Sequence, residues 1–252
     1  MLEKSLAVVL HVLKYNDEQL VAHFYTERRG TLCFMIRMPR SRKNAMRTTL
    51  LSPLAILELV YDYRPQSTFQ KLREMRVAVP YKSVPYEPMK AMVALFLGEF
   101  AYHALKHEVQ NDMLFRYVVS ALQWFDAAQR GVANFHLVFL LRMVRFLGFM
   151  PNVPPERNAR ERQWRIQCGG ARFFDLREGV LLDVVPVHRD CLLPEDTCML
   201  PFLLRMDFVT MHLYKFSRMQ RMCILEKLIL YYRLHVPEFP ELKSLEVLNG
   251  ML

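Results

Sequence analysis

Five cations, Arg37, Arg40, Arg42, Lys43 and Arg47, fall within eleven residues, and Arg28 and Arg29 stand shortly before them. Guanidinium and ammonium groups at that density suit one kind of chemistry. They neutralise phosphates, and the release of condensed counterions from a polyanion then drives binding. Residues 1–84 carry 14 Lys and Arg against 7 Asp and Glu, so +7 of the chain's +9 sits in its first third. Charge so unevenly placed predicts a polyanionic partner there: DNA, RNA or an anionic membrane surface. Phe24, Tyr25 and Phe34 lie nearby. Such rings can stack on unpaired bases, but large apolar side chains on strands more commonly pack inward, and core packing is the expectation for all three.

Other reactive side chains form no recognisable machinery. There is no glycine-rich phosphate loop, no His-Glu-x-x-His and no nucleophile elbow. Asp183 and Asp190 would be the carboxylates of a metal-dependent nuclease, although loop aspartates commonly serve turns. Cys168, His188, Cys191 and Cys198 are the nearest approach to a metal set. His188 and Cys191 have ligand-like spacing, yet no close cysteine pair accompanies them, so no metal is expected. These residues predict a protein that binds rather than catalyses, without a cofactor.

The elements that must position the cations are strands. Period-2 patterning predicts strands over 5–13, 20–26, 31–38 and 54–64. In the last, Leu57, Leu59, Tyr61 and Tyr63 share one face, and Glu58, Asp62 and Arg64 the other. Residues 69–77 fit either a strand or a helix. Five short strands in about 80 residues predict a small closed barrel of the OB type. Pro80, Pro85 and Pro88 mark a boundary, after which the period becomes helical. Helices are expected from Pro88, over 112–129, over 132–149, from the N-cap Ser217 to His235, and briefly over 240–248. Residues 152–193 look irregular. Met199, Met206, Met211, Met219 and Met222 suit gap-filling in a helical core. The expectation is an α+β protein: an OB-fold β-barrel domain over 1–80, then an all-α domain over 81–252 with a small irregular insert at about 152–193.

Five cysteines, an odd number, suit a reducing compartment. The apolar run at 6–10 is interrupted by His11 and lacks a signal-peptide cleavage site, and no run of about 18 apolar residues exists to span a bilayer. A cytoplasmic protein is expected. A basic barrel does not by itself separate a DNA ligand from an RNA ligand, and an RNA-binding OB protein is the alternative.

Four segments, in order, resemble the RecO family of bacterial recombination mediators, in particular the divergent form of Bacteroides-like bacteria. The first is VVLHVLKYND at 8–17, followed by FYTE at 24–27 and Gly30. The second is the basic stretch leading into LSPL at 51–54 and LELV at 57–60. The third is FLLRMVRFLGFMPN at 139–152. The fourth is YYRLH at 231–235, followed by LKS at 242–244. The resemblance spans essentially the whole chain. It implies an OB-fold that binds single- and double-stranded DNA, a helical body, and an insert that carries a four-cysteine zinc knuckle in some members, a knuckle this sequence lacks. It also implies strand annealing, binding of the acidic tail of single-stranded DNA-binding protein (SSB), and loading of RecA together with RecR and often RecF, in association with the nucleoid. For the tail, the row Phe139, Met143 and Phe146 with Arg142 and Arg145 beside it offers apolar and cationic groups together. Lys215, Arg218 and Arg221 beside Met211, Met219 and Met222 are the second choice.

Overall fold

The computed structural model describes residues 1–37, 50–153 and 172–251. By its internal contacts the chain forms two compact units, residues 1–130 with 240–252, and residues 131–239.

In the first unit, five antiparallel strands form one sheet: β1 (Leu2–Lys14), β2 (Gln19–Thr26), β3 (Gly30–Arg37), β4 (Ile56–Asp62) and β5 (Lys71–Val79). The spatial order is β3-β2-β1-β4-β5. Alternation decides which face is buried: Ala7 and Val9, Ala22 and Phe24, Phe34 and Ile36, and Leu57, Leu59 and Tyr61 form one apolar cluster on one side. Phe34 sits edge-on to both Phe24 and Tyr61, with centroids 5.3 Å apart in each pair, a favoured aromatic geometry. At the middle of β1 the opposite side is buried too, since Val8 and Leu10 are also covered. The register with β2 slips between Val9 and His11, which bends the strand.

The sheet is OB-like but is not a closed barrel. Among the described residues its two edges meet at one parallel bridge, Phe34–Gln70, where the Gln70 N–H donates to the Cys33 carbonyl at 2.8 Å. Beyond that bridge β5 carries exposed charges rather than a second ladder. Arg73 pairs with Asp62 at 2.6 Å, and Arg76 and Lys4 both pair with Glu58.

Among the described residues three helices complete this unit: α1 (Pro88–Ala104), α2 (Asp112–Ala127) and α7 (Lys243–Met251). α1 starts on proline, whose missing N–H costs nothing at a first turn. The Asn111 side chain caps α2 by accepting from the Leu114 N–H at 3.0 Å. Glu99 of α1 caps α7, accepting from the Lys243 and Ser244 N–H groups. The Asp126 carboxylate gathers the N–H groups of Lys82, Ser83 and Val84. Burial raises its pKa, but those bonds outweigh burial and hold it below the usual range. Lys90, 1 % exposed, donates to Ser83 Oγ at 2.7 Å and to the Ala128 carbonyl at 2.6 Å. These groups join the connector to the C-terminal end of α2.

Where α1 meets the sheet, His11 of β1, His23 of β2 and His103 of α1 surround the Tyr102 ring, with centroids 4.7 to 4.9 Å away. Burial lowers the pKa of all three histidines. The charge of His11 adds to this for His23 and His103, as does that of Lys106, while Glu99 opposes it at His11 and His103. The Cys33 thiol lies 3.7 Å from His23 Nε2. With folded pKa values below the unfolded one, the unfolded chain binds more protons as pH falls past about 6.5, so folding stability falls with it. The melting temperature should therefore drop between pH 7 and pH 5, and less steeply in a His11→Gln, His23→Gln, His103→Gln variant. Equal slopes in the two proteins would dismiss the cluster as the cause.

The second unit contains α3 (Phe135–Phe146), a small sheet of β6 (Phe173–Asp175), β7 (Val180–Leu182) and β8 (Cys191–Leu192), then α4 (Pro194–Thr197), α5 (Leu200–Arg205) and α6 (Arg218–His235). The expected irregular insert is thus partly a sheet, in the order β7-β6-β8. Ser217 caps α6 in a reciprocal box with Gln220. The Tyr232 hydroxyl of α6 donates to the Leu140 carbonyl of α3 at 2.8 Å, and His235 Nε2 lies 2.9 Å from the Leu176 carbonyl beyond β6.

Candidate nucleic-acid interface

Of the seven predicted phosphate-binding cations, Arg28, Arg29 and Arg37 lie among the described residues, whereas Arg40, Arg42, Lys43 and Arg47 lie outside them. Arg28 and Arg29 occupy the turn between β2 and β3, and Arg37 ends β3. Arg29 has a structural partner. Its Nη2 and Nε bind the buried Glu3 carboxylate at 2.6 and 3.2 Å, and its guanidinium lies 4.3 Å from the centre of the Tyr63 ring. The Arg29 hydrogen bond, helped by the Tyr61 hydroxyl, holds the Glu3 carboxyl below the usual range despite burial. Arg29 still exposes 40 % of its side chain, so its outer face remains open to an anion. Arg37 is exposed. Phe24, Tyr25 and Phe34 are wholly buried, which removes them as base-stacking surfaces.

Sequence patterning missed a second feature. On one side of the Phe34–Gln70 bridge the sheet edges part into an open groove of roughly 540 Å³. Gln19, Met35 and Arg37 line one wall; Phe69, Lys71, Arg73 and Met75 line the other. Lys71 and Arg73 had no place in the basic cluster because they lie more than thirty residues along the chain; strand pairing alone brings them near Arg37.

In the second unit, Phe139 and Met143 are fully buried. Two members of the row expected to receive a peptide tail are therefore core packing, the usual fate of an apolar stripe. Arg142 donates to the Met206 carbonyl through Nε and Nη2. Arg145 is exposed and Phe146 half-buried. An apolar cleft in the same unit is lined by Leu200, Leu203, Ile224, Leu228 and Tyr231, with Lys227 also on its wall.

Four of the residues weighed for metal or nuclease chemistry have side-chain partners of their own. His188 Nε2 lies 3.2 Å from Asp175 Oδ2, and Cys198 Sγ donates to the Glu195 carbonyl. Asp183 pairs with Arg172, and Asp190 with Arg177. Cys191 lies in β8, opposite Asp175, and Cys168 lies outside the described residues. Among the described residues no group of three or more His, Cys, Asp and Glu side chains is placed to hold a metal, and no helix is long and apolar enough to cross a membrane.

The family model for the N-terminal part of recombination protein O matches residues 1–81, and that for its C-terminal part matches residues 86–246. The chain belongs to the RecO family. It is 41 % identical over 251 residues to the DNA repair protein RecO of Phocaeicola vulgatus, covering 100 % of this chain and 99 % of that protein. It is 39 % identical over 252 residues to the protein of the same name from Bacteroides fragilis, with the same coverage. With that of Christiangramia forsetii it shares 30 % over 250 residues, covering 99 % of this chain and 98 % of that one. The OB-like sheet followed by helices agrees with the RecO family, whose role is DNA repair and recombination.

Proposed function

We propose that this protein is a recombination mediator. It binds single- and double-stranded DNA through residues 1–80, anneals complementary strands, and with RecR, and RecF where present, helps load RecA onto strands coated by SSB. The observation that carries this reading is the placement of +7 of net charge within residues 1–84, a stretch whose described strands form an OB-like sheet, in a chain of the RecO family. Arg28, Arg29, Arg37, Arg40, Arg42, Lys43 and Arg47 supply the phosphate contacts, which set affinity and register but carry no sequence preference. The helical domain, residues 81–252, serves partners. No bond is made or broken by the protein and no cofactor is required. Its place of work is the cytoplasm, at the nucleoid.

An acidic tail with an apolar end needs a cation beside an apolar recess. With Phe139 and Met143 in the core, Arg145, Phe146 and the cleft beside Lys227 are the remaining places for the SSB tail, and Lys215, Arg218 and Arg221 follow. The decisive experiment is annealing of complementary oligonucleotides, bare and SSB-coated. The protein should accelerate both reactions. An Arg145→Ala, Lys227→Ala variant should keep the first and lose the second. No acceleration of bare strands by the parent would defeat the mediator reading; full activity of the variant on coated strands would defeat only the tail site.

A further inference from the structure

We infer that the open groove between β3 and β5 is a site for unpaired bases, with Phe69 as the surface on which a base stacks. This rests on the reading of the N-terminal sheet as a DNA-binding element and adds a basis for telling single strands from duplex.

Phe69 is 39 % exposed on a loop held still from within. Gln70, only 4 % exposed, accepts from the Arg64 N–H at 2.8 Å. Its amide donates to the Arg64 carbonyl at 3.0 Å and to the Ser67 carbonyl at 2.9 Å. Its own N–H is anchored on Cys33 of β3, and Ser67 Oγ donates to the Phe69 carbonyl at 2.7 Å. The ring is therefore presented on a fixed support, and little order remains to be imposed when something stacks on it. Cations line the same groove. Arg37 and Lys71 are exposed and form no ion pair among the described residues, whereas Arg73 is paired with Asp62.

An exposed aromatic lining the same groove as two phosphate-seeking cations matches a single strand, which can lay a base on the ring while its backbone follows the charges. Duplex DNA keeps its bases stacked on one another and offers the groove phosphates alone. An acidic peptide would use the cations but would have no need of a flat ring.

The test compares the full-length parent with Phe69→Ala, Phe69→Tyr and Lys71→Gln, using fluorescence anisotropy with an oligo-dT strand and with a duplex of equal length over a salt series. Phe69→Ala should weaken oligo-dT binding by roughly 5- to 100-fold, the worth of one stacked base. Its salt slope and duplex affinity should be unchanged, and Phe69→Tyr should match the parent. Lys71→Gln should weaken both ligands and flatten the single-strand salt slope by about 0.7. Parental oligo-dT affinity in Phe69→Ala, or an equal loss on duplex, would overturn the stacking assignment while leaving DNA binding intact. A parent that binds neither ligand would instead overturn the reading beneath it. A dimer lost in Phe69→Ala with DNA affinity unchanged would assign the groove to a second copy of the chain.

Discussion

Gly30→Ala should destabilise the first unit by roughly 3–5 kcal/mol, enough to lower its melting temperature by about 10 °C. Two effects combine. Gly30 has a φ of +71°, a left-handed conformation that costs a residue bearing a Cβ about 1–2 kcal/mol. A Cβ there would also stand 2.2 Å from the Glu108 carbonyl oxygen and 2.5 Å from the Val109 carbonyl carbon, both of them backbone atoms that cannot swing away. The approach is close because the Thr31 N–H donates to that same Glu108 oxygen at 2.9 Å, tying the start of β3 to the segment between α1 and α2. Gly148 separates the two contributions. Its φ is +86°, with nothing within 4 Å of an added Cβ, so Gly148→Ala should cost only about 1–2 kcal/mol. Equal losses in the two variants, read by denaturant or thermal melts, would show that the Glu108 contact yields freely.

Much of the first unit was legible because its strands are half-buried. In β4, Leu57, Leu59 and Tyr61 are buried while Glu58, Val60 and Asp62 are not, which is the alternation the sequence displays. β5 was ambiguous for a physical reason. It is an edge strand with Lys71, Arg73, Glu74 and Arg76 exposed, and without a covered face the period-2 signal fades. Incomplete closure was hidden because it depends on one glutamine, Gln70, spanning two edges. The sheet of the insert was hidden because its strands are two or three residues long, too short for any period to register. The basic cluster was legible as charge, but the engagement of Arg29 by Glu3 was not: its partner stands twenty-six residues away in the chain. Phe69 was missed because a lone aromatic in a loop has no pattern, and its exposure follows from strand pairing. Phe139 and Met143 show the converse. Their helical spacing was correct, but spacing cannot say whether an apolar stripe meets a partner or the protein's own core.

The salt dependence of single-strand affinity tests most directly whether the N-terminal sheet is an electrostatic DNA-binding element. Each phosphate contact releases counterions, so log affinity falls with log salt at a slope of about −0.7 per contact on single strands. Arg37, Arg40, Arg42, Lys43 and Arg47 together should therefore account for a slope of about −3.5. Changing all five to glutamine should flatten it by that amount and weaken binding at about 50 mM salt on the order of a hundredfold or more. The loss should be similar for every sequence, since phosphates carry no base identity. Lys4→Gln with Arg76→Gln is the matched control. Both cations are already committed to the Glu58 carboxylate, and neither lines the groove, so their loss should leave the slope within about one contact of the parent. A five-fold variant that keeps the parental slope, or a control that loses as much, would place the DNA site on another surface and contradict the account.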